Sequence, residues 1–232
     1  MSRPLRGAAG WPWLVLVLSL LWGGGCASLP PTSLATHDSS IWEKEIAAFE
    51  AADRRHPPAP GPILFVGSSS IRMWKTLAED FPGRAVINRG FGGSQLADSV
   101  RFADRIVVPC HPREVVVYAG ANDLNAGKPP EVVYGDFVCL MRTLRARLPD
   151  ARLAYISIAP NPSRWAQVDK IREVNRLAAR YCRGHGIDFI DVFPLMLGPD
   201  GQPKPDIYLA DRLHMNPKGY AIWREAIQPR LP

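Results

Sequence analysis

Short continuous apolar runs recur along this chain, separated by longer stretches in which apolar residues return every three or four positions. The runs are Ile63-Leu64-Phe65-Val66, Ala85-Val86-Ile87-Asn88, Glu114-Val115-Val116-Val117-Tyr118-Ala119, Arg152-Leu153-Ala154-Tyr155-Ile156-Ser157-Ile158 and Ile187-Asp188-Phe189-Ile190-Asp191. Strands buried on both faces read this way, whereas a half-exposed strand alternates. Helical spacing fills the intervals 71–79, 94–106, 129–148, 165–182 and 217–227. Ser94 is a candidate cap, Pro129-Pro130-Glu131 suits a first turn, and Gly184-His185-Gly186 is a stop. Ahead of the first strand, Ile41, Trp42, Ile46 and Phe49 predict a helix from 41 to about 55, with Ser40 as its cap. The proline-rich run from His56 to Pro62 ends it. Strand–helix alternation predicts an α/β fold, a parallel sheet covered on both faces with right-handed crossovers. Ligands of such sheets bind outside the carboxyl ends of the strands.

The N-terminus has a different pattern. Arg3 and Arg6 precede an apolar stretch of twelve residues from Trp11 to Trp22. That length is short for a membrane span and suits the apolar core of an export signal. Gly23-Gly24-Gly25-Cys26-Ala27-Ser28 follows, small residues and then a cysteine. It resembles a bacterial lipoprotein signal with Cys26 as the lipidated residue, although Gly23 stands where such signals usually carry Leu. An ordinary secretory peptide and an uncleaved anchor are the other readings. The resulting division is a signal over 1–26, a tether over 27–38, and a domain over 39–232 with its core over 60–231. The expected location is the periplasm, anchored to the outer membrane through the lipid on Cys26.

The net charge of +6 falls to +4 over residues 26–232, because residues 1–25 hold two arginines and no acid. The excess is dispersed, and Arg142, Arg145 and Arg147 read as a solvated helix face. Nucleic-acid binding needs a concentrated basic stripe and is disfavoured. Beyond Cys26 lie Cys110, Cys139 and Cys182, an odd number that makes no disulfide framework, although an oxidising periplasm leaves a Cys139–Cys182 bridge open. No Cys-x-x-Cys spacing suggests zinc, so no metal site is expected.

Four segments carry candidate chemistry: Gly67-Ser68-Ser69-Ser70, Asn88-Arg89-Gly90-Phe91-Gly92-Gly93, Gly120-Ala121-Asn122-Asp123 and Asp211-Arg212-Leu213-His214. The first three fall at the ends of strands one, two and three. Three serines offer a nucleophile at a strand-to-helix turn, where helix N–H dipoles favour negative charge. Asp211 and His214 stand three apart, so a carboxylate can fix the imidazole tautomer and leave the other ring nitrogen as a base. A glycine N–H and the Asn122 amide can hold an oxyanion. Each segment also has a bland reading: serine caps, a surface Asp–His pair, a turn at Asn122-Asp123. The glycine loop lacks nucleotide-binding spacing, and Gly-x-Ser-x-Gly is absent. The other histidines lie in the tether (His37), before prolines (His56, His111) or between glycines (His185).

With the four segments in this order, the chain resembles the SGNH hydrolases, also called the GDSL esterase/lipase superfamily, over about residues 60–231. The Gly-Ser-Ser-Ser-Ile form resembles a bacterial subgroup. The resemblance implies a flavodoxin-like three-layer α/β/α fold with five parallel strands ordered 2-1-3-4-5. It aligns Ser69 with the family nucleophile, Ser68 replacing the family Asp and Ser70 the family Leu. It makes His214 the base and Asp211 its orienting partner. Ser69 N–H, Gly93 N–H and Asn122 form the implied oxyanion hole, with Gly92 as the alternative glycine. No cofactor is implied. Asn125, Arg164 and Trp165 flank the segments as candidate substrate contacts, Trp165 as a sugar-stacking or a packing residue. The expected partner is a lipid or glycan ester. The contrasting expectation is a non-catalytic carbohydrate- or lipid-binding module on the same fold, against which the intact Ser69, Asn122, Asp211 and His214 argue.

Overall fold

The computed structural model of the chain describes Met1 and residues 29–232. The signal and lipidation readings over 1–26, including Cys26, lie outside the described residues.

The strands are β1 (Ile63–Gly67), β2 (Val86–Gly90), β3 (Glu114–Tyr118), β4 (Arg152–Ile156) and β5 (Asp188–Ile190). All pair in parallel, in the order β2-β1-β3-β4-β5. Successive side chains on a strand point to opposite faces, so each apolar run feeds two cores. Leu64, Val66, Val115, Val117 and Leu153 belong to one core. That core holds residues of α1 (Glu43–Arg55), α4 (Leu96–Ile106), α6 (Pro130–Arg147) and α7 (Val168–Gly184). Ile63, Phe65, Val116, Tyr118 and Ala154 enter the other core, beside α2 (Ser69–Arg72), α3 (Leu77–Asp80) and α8 (Pro217–Ile227). A short helix, α5 (Ala121–Asn125), follows β3 where the hydropathy pattern predicts no helix.

Four expected elements differ, the first being the helix cap at Ser40, which instead begins a 3-10 turn over Ser40–Trp42 ahead of α1. The helix read over 71–79 is two short helices, α2 and α3, with Trp74 between them. Its indole is buried against Phe65 and Phe81, at ring-centroid distances of 5.9 and 5.7 Å. Asp80 accepts both Trp74 Nε1–H at 2.6 Å and Thr76 Oγ–H at 2.7 Å, which fastens the break. The cap of α4 is Gln95, not Ser94. Gln95 N–H donates to the Asp98 carboxylate at 2.8 Å, while Ser94 Oγ donates to Phe91 O. The helix read from 165 begins instead as a 3-10 turn over Pro162–Gln167, because the Asn161 side chain accepts Arg164 N–H and Arg164 leaves helical geometry.

Residues 29–38, read as a tether, are docked on the domain. Ser33 donates its N–H and Oγ–H to Asp136 at 2.8 and 2.7 Å, and His37 Nε2 lies 2.8 Å from Asp98. Lys128 then joins Asp136 to Asp123, at 3.0 Å from each. The Cys139–Cys182 bridge is not formed, and Cys110, Cys139 and Cys182 are free. Cys182 packs into the α6/α7 core, whereas Cys139 faces a groove beneath Leu29 and Pro30, so their side chains diverge.

Glu114 opens β3 at the end of the sheet away from the candidate segments. Its carboxyl is fully buried, and both oxygens lack a partner among the described residues. Burial pushes its pKa up to about 7, opposed by Arg152 and reinforced by Asp188, with Arg113 and Arg84 pulling it down. Folded chains therefore bind this proton more tightly than unfolded ones. Its contribution to stability is full below pH 4.5 and is lost as pH rises toward 7. Glu114→Gln should raise the Tm at pH 8, by up to about 3 kcal/mol of stability, and converge with wild type at pH 4. Thermal unfolding across that range checks this; a difference that does not vary with pH contradicts it.

Candidate active site

The first site residue depends on how β1 ends. Gly67 has φ +146°, and a Cβ there would lie 1.9 Å from Tyr118 O, so only glycine lets β1 and β3 stay paired while the chain turns. Ser68 is extended and Ser69 starts α2. That helix is fixed on two sides: Asn88 Nδ2 donates to Ile71 O at 2.6 Å, and Tyr220 Oη donates to Ser70 O at 2.9 Å.

The imidazole comes from the loop before α8. Leu209 N–H donates to His214 O at 2.8 Å, and Arg212 adopts a left-handed φ of 58°. Asn216 caps α8 and donates to Asp206 O and Tyr208 O, closing the loop's base. Asp211 Oδ1 accepts the backbone N–H groups of Leu213 and His214 at 2.9 Å. Its other oxygen lies 2.6 Å from His214 Nδ1, and His214 Nε2 lies 3.0 Å from Ser69 Oγ. With Nδ1–H given to the carboxylate, neutral His214 presents Nε2 as an acceptor to the Ser69 hydroxyl. Of the three consecutive serines, Ser69 is the one so paired. Partial burial pushes the Asp211 pKa up, but the bonds from the His214 ring and from the two N–H groups outweigh it and set it at about 2.

Facing this line is Asn122, in the first turn of α5. Its Nδ2 donates to Ser94 O at 3.0 Å and its Oδ1 accepts from Arg164 Nη1 at 3.0 Å, which fixes the amide orientation. The second Nδ2 hydrogen has no protein partner among the described residues, nor do the backbone N–H groups of Ser69 and Gly93. Asp123 is fully buried and accepts Leu96 N–H, tying α5 to the start of α4, where the Gly93 loop ends. Burial pushes its carboxyl pKa up, against the pull of Lys128 and of that N–H.

Ser69, Gly93, Asn122, Arg164 and His214 line one cleft of about 230 Å³. Asn125 and Trp165 do not. Asn125 is exposed at the end of α5, and Trp165 packs near Arg172, 5.9 Å from its guanidinium carbon to the ring centroid. Arg72, Tyr208 and Met215 also line the cleft and were missed. Arg72 lies three residues after Ser69 on one helix, a spacing that could have flagged it; nothing in the pattern marks the other two. A hydroxyl, imidazole and carboxylate in hydrogen-bonded line, beside N–H donors, can deprotonate an alcohol and hold an oxyanion.

The sheet order, the two helical layers and the placement of these residues define the SGNH-type α/β/α class. The description "GDSL-like Lipase/Acylhydrolase family" matches residues 65–222. The chain belongs to that family. A Streptococcus pneumonia protein named for platelet activating factor superposes with a TM-score of 0.73 at 20% identity, covering 83% of this chain and 94% of its own. A GDSL-like lipase of Bacteroides thetaiotaomicron gives 0.66 at 20% identity, covering 83% and 96%. A variant of the acetyl-xylooligosaccharide esterase Axe2 of Geobacillus Stearmophilus gives 0.58 at 14%, covering 74% and 94%. At these identities the likeness is one of fold. No curated protein matches.

Because the Asp211 pKa lies below its usual 3.8, its contribution to stability is present above that value and is lost as pH falls toward 2. Profiles of Tm against pH for wild type and Asp211→Asn should differ above pH 4 and converge near pH 2. A constant offset down to pH 2 would contradict an ionised, hydrogen-bonded Asp211.

Proposed function

We propose that this acylhydrolase-family chain is an exported serine esterase that cleaves carboxylic esters of lipids or carbohydrates through Ser69, His214 and Asp211. The observation that carries the reading is the unbroken line from Asp211 through His214 to Ser69, with bonds of 2.6 and 3.0 Å, beside unpartnered N–H groups. Ser69 Oγ attacks the ester carbonyl carbon as His214 Nε2 takes its proton. The carbonyl oxygen becomes an oxyanion facing Ser69 N–H, Gly93 N–H and the free Asn122 N–H. His214 returns the proton to the leaving alcohol, and the acyl group stays on Ser69. Water then attacks the acyl carbon, giving its proton to His214, and the acid leaves as Ser69 recovers its hydrogen. Asp211 holds the ring tautomer and stabilises the imidazolium.

A cleft of about 230 Å³ suits short acyl groups, such as acetyl, better than long chains. The export part of the proposal is supported by the signal-like pattern of residues 1–26, with Cys26 as the lipid anchor.

Hydrolysis of p-nitrophenyl esters from acetate to palmitate by the full chain tests this reading. Turnover should favour the shortest acyl groups and fall about 10⁴-fold in kcat in Ser69→Ala. Full activity in Ser69→Ala, or turnover of no ester, would overturn it. Asn122→Ala should lower kcat about 10²- to 10³-fold with little change in KM, since its donor acts on the transition state. A change confined to KM would remove Asn122 from the oxyanion site.

A further inference from the structure

The cleft around Ser69 is lined by two arginines, Arg72 and Arg164, and by no aspartate or glutamate. Some arginines elsewhere sit against carboxylates, Arg89 on Asp53, Arg105 on Glu43 and Glu50, Arg152 on Asp188 and Arg176 on Glu173, while others, such as Arg54, Arg101 and Arg142, point to solvent without one among the described residues. Arg72 and Arg164 have no carboxylate partner among the described residues. They approach Ser69 from two sides, Arg72 against the loop after β2 and Arg164 from the 3-10 turn after β4.

Arg164 is half-buried, and burial pushes its pKa down. A cation withdrawn from water without a counter-charge is unfavourable unless something else occupies its donors. Only Nη1 is engaged, donating to Ala121 O at 3.3 Å and to Asn122 Oδ1 at 3.0 Å. Nε and Nη2 have no protein acceptor among the described residues. That Nε–Nη2 edge is one a carboxylate or phosphate takes with two parallel bonds. Arg72, by contrast, is exposed, and its guanidinium lies against Gly92. A Cβ on Gly92 would lie 2.6 Å from Arg72 Nε and 2.8 Å from Nη2, so the missing side chain leaves room for the guanidinium. Its donors are likewise without protein acceptors.

We propose that the cleft selects esters bearing an anionic oxyacid group, a carboxylate or a phosphate, close to the scissile ester, held by the open edges of Arg164 and Arg72. This deepens the esterase reading and rests on it. Arg164 has a second role, since the same guanidinium fixes the Asn122 amide. Arg72 makes no side-chain hydrogen bond to Ser69, His214 or Asp211, so the anionic-to-neutral ratio in its variants is read apart from the overall rate.

The test compares acetyl esters of matched shape with the full chain: 4-acetoxybenzoate, 4-acetoxyphenyl phosphate and the neutral 4-acetoxybenzamide. Wild type should prefer at least one anion to the amide by about tenfold or more in kcat/KM, and the favoured anion identifies which oxyacid the cleft takes. Arg72→Gln and Arg164→Gln should each bring the anionic-to-neutral ratio toward one, whatever they do to the overall rate. Gly92→Ala should shift the ratio in the same direction by displacing Arg72. Ser69-dependent turnover of all three esters with no preference, or arginine variants that slow every ester equally, would overturn the anion site and leave the esterase standing. Absence of any Ser69-dependent hydrolysis would instead sink the esterase reading. The anion site is then decided by calorimetric binding of 4-acetamidobenzoate against 4-acetamidobenzamide. A preference for the anion that Arg72→Gln erases supports it; equal or absent binding overturns it.

Discussion

Everything at the cleft depends on one constraint of backbone register: β1, β2 and β3 end together. Gly67 pairs with Gly90 on one side and Tyr118 on the other. The chain therefore leaves the sheet three times at one edge, and those exits carry Ser69, Gly93 and Asn122. A parallel sheet with continuous apolar strands resists slippage, because a shift of one residue would exchange the two cores. The chemistry sits where the hydrophobic packing has fixed the ends.

Side-chain hydrogen bonds then hold the exits relative to one another. Asn88 and Tyr220 hold α2 from opposite sides, while Asp123 binds the start of α4 and Asn122 binds Ser94 O. Few of these donors and acceptors belong to the reacting groups themselves. They remove freedom from a hydroxyl, an amide and an imidazole that come from distant parts of the sequence, Ser69 and His214 being 145 residues apart. A site assembled beforehand needs less reorganisation at the transition state. The docked segment with Ser33 and His37 adds to the same network through Asp136 and Asp98.

Much of this was legible from residue order. Continuous apolar runs gave the strands, and the helical intervals between them gave the layers, because periodicity reports burial directly. Ser69, Gly93, Asn122, Asp211 and His214 converge, as their places at strand ends and in one loop suggested, and Arg164, read only as flanking the segments, joins them at the cleft. The losses were local. Trp74 breaks a helix because a buried indole and Asp80 outweigh propensity. Asn161 and Asp98 redirect two helix starts by side-chain caps that period alone does not reveal. The docking of Ser33 and His37 depends on carboxylates about 100 and 61 residues away, and a proline-rich segment shows no sign of that in its own composition. Asn125 and Trp165 were placed by proximity in sequence to the segments, and the turn geometry carries them off the cleft.

The central claim is that Ser69 is a hydroxyl activated by His214. The most direct measurement is covalent labelling of the full chain with a fluorophosphonate, followed by peptide mass spectrometry. The account predicts a single adduct on Ser69 that His214→Ala abolishes. An adduct on Ser68 or Ser70, labelling that is indifferent to His214, or no labelling at all would contradict it.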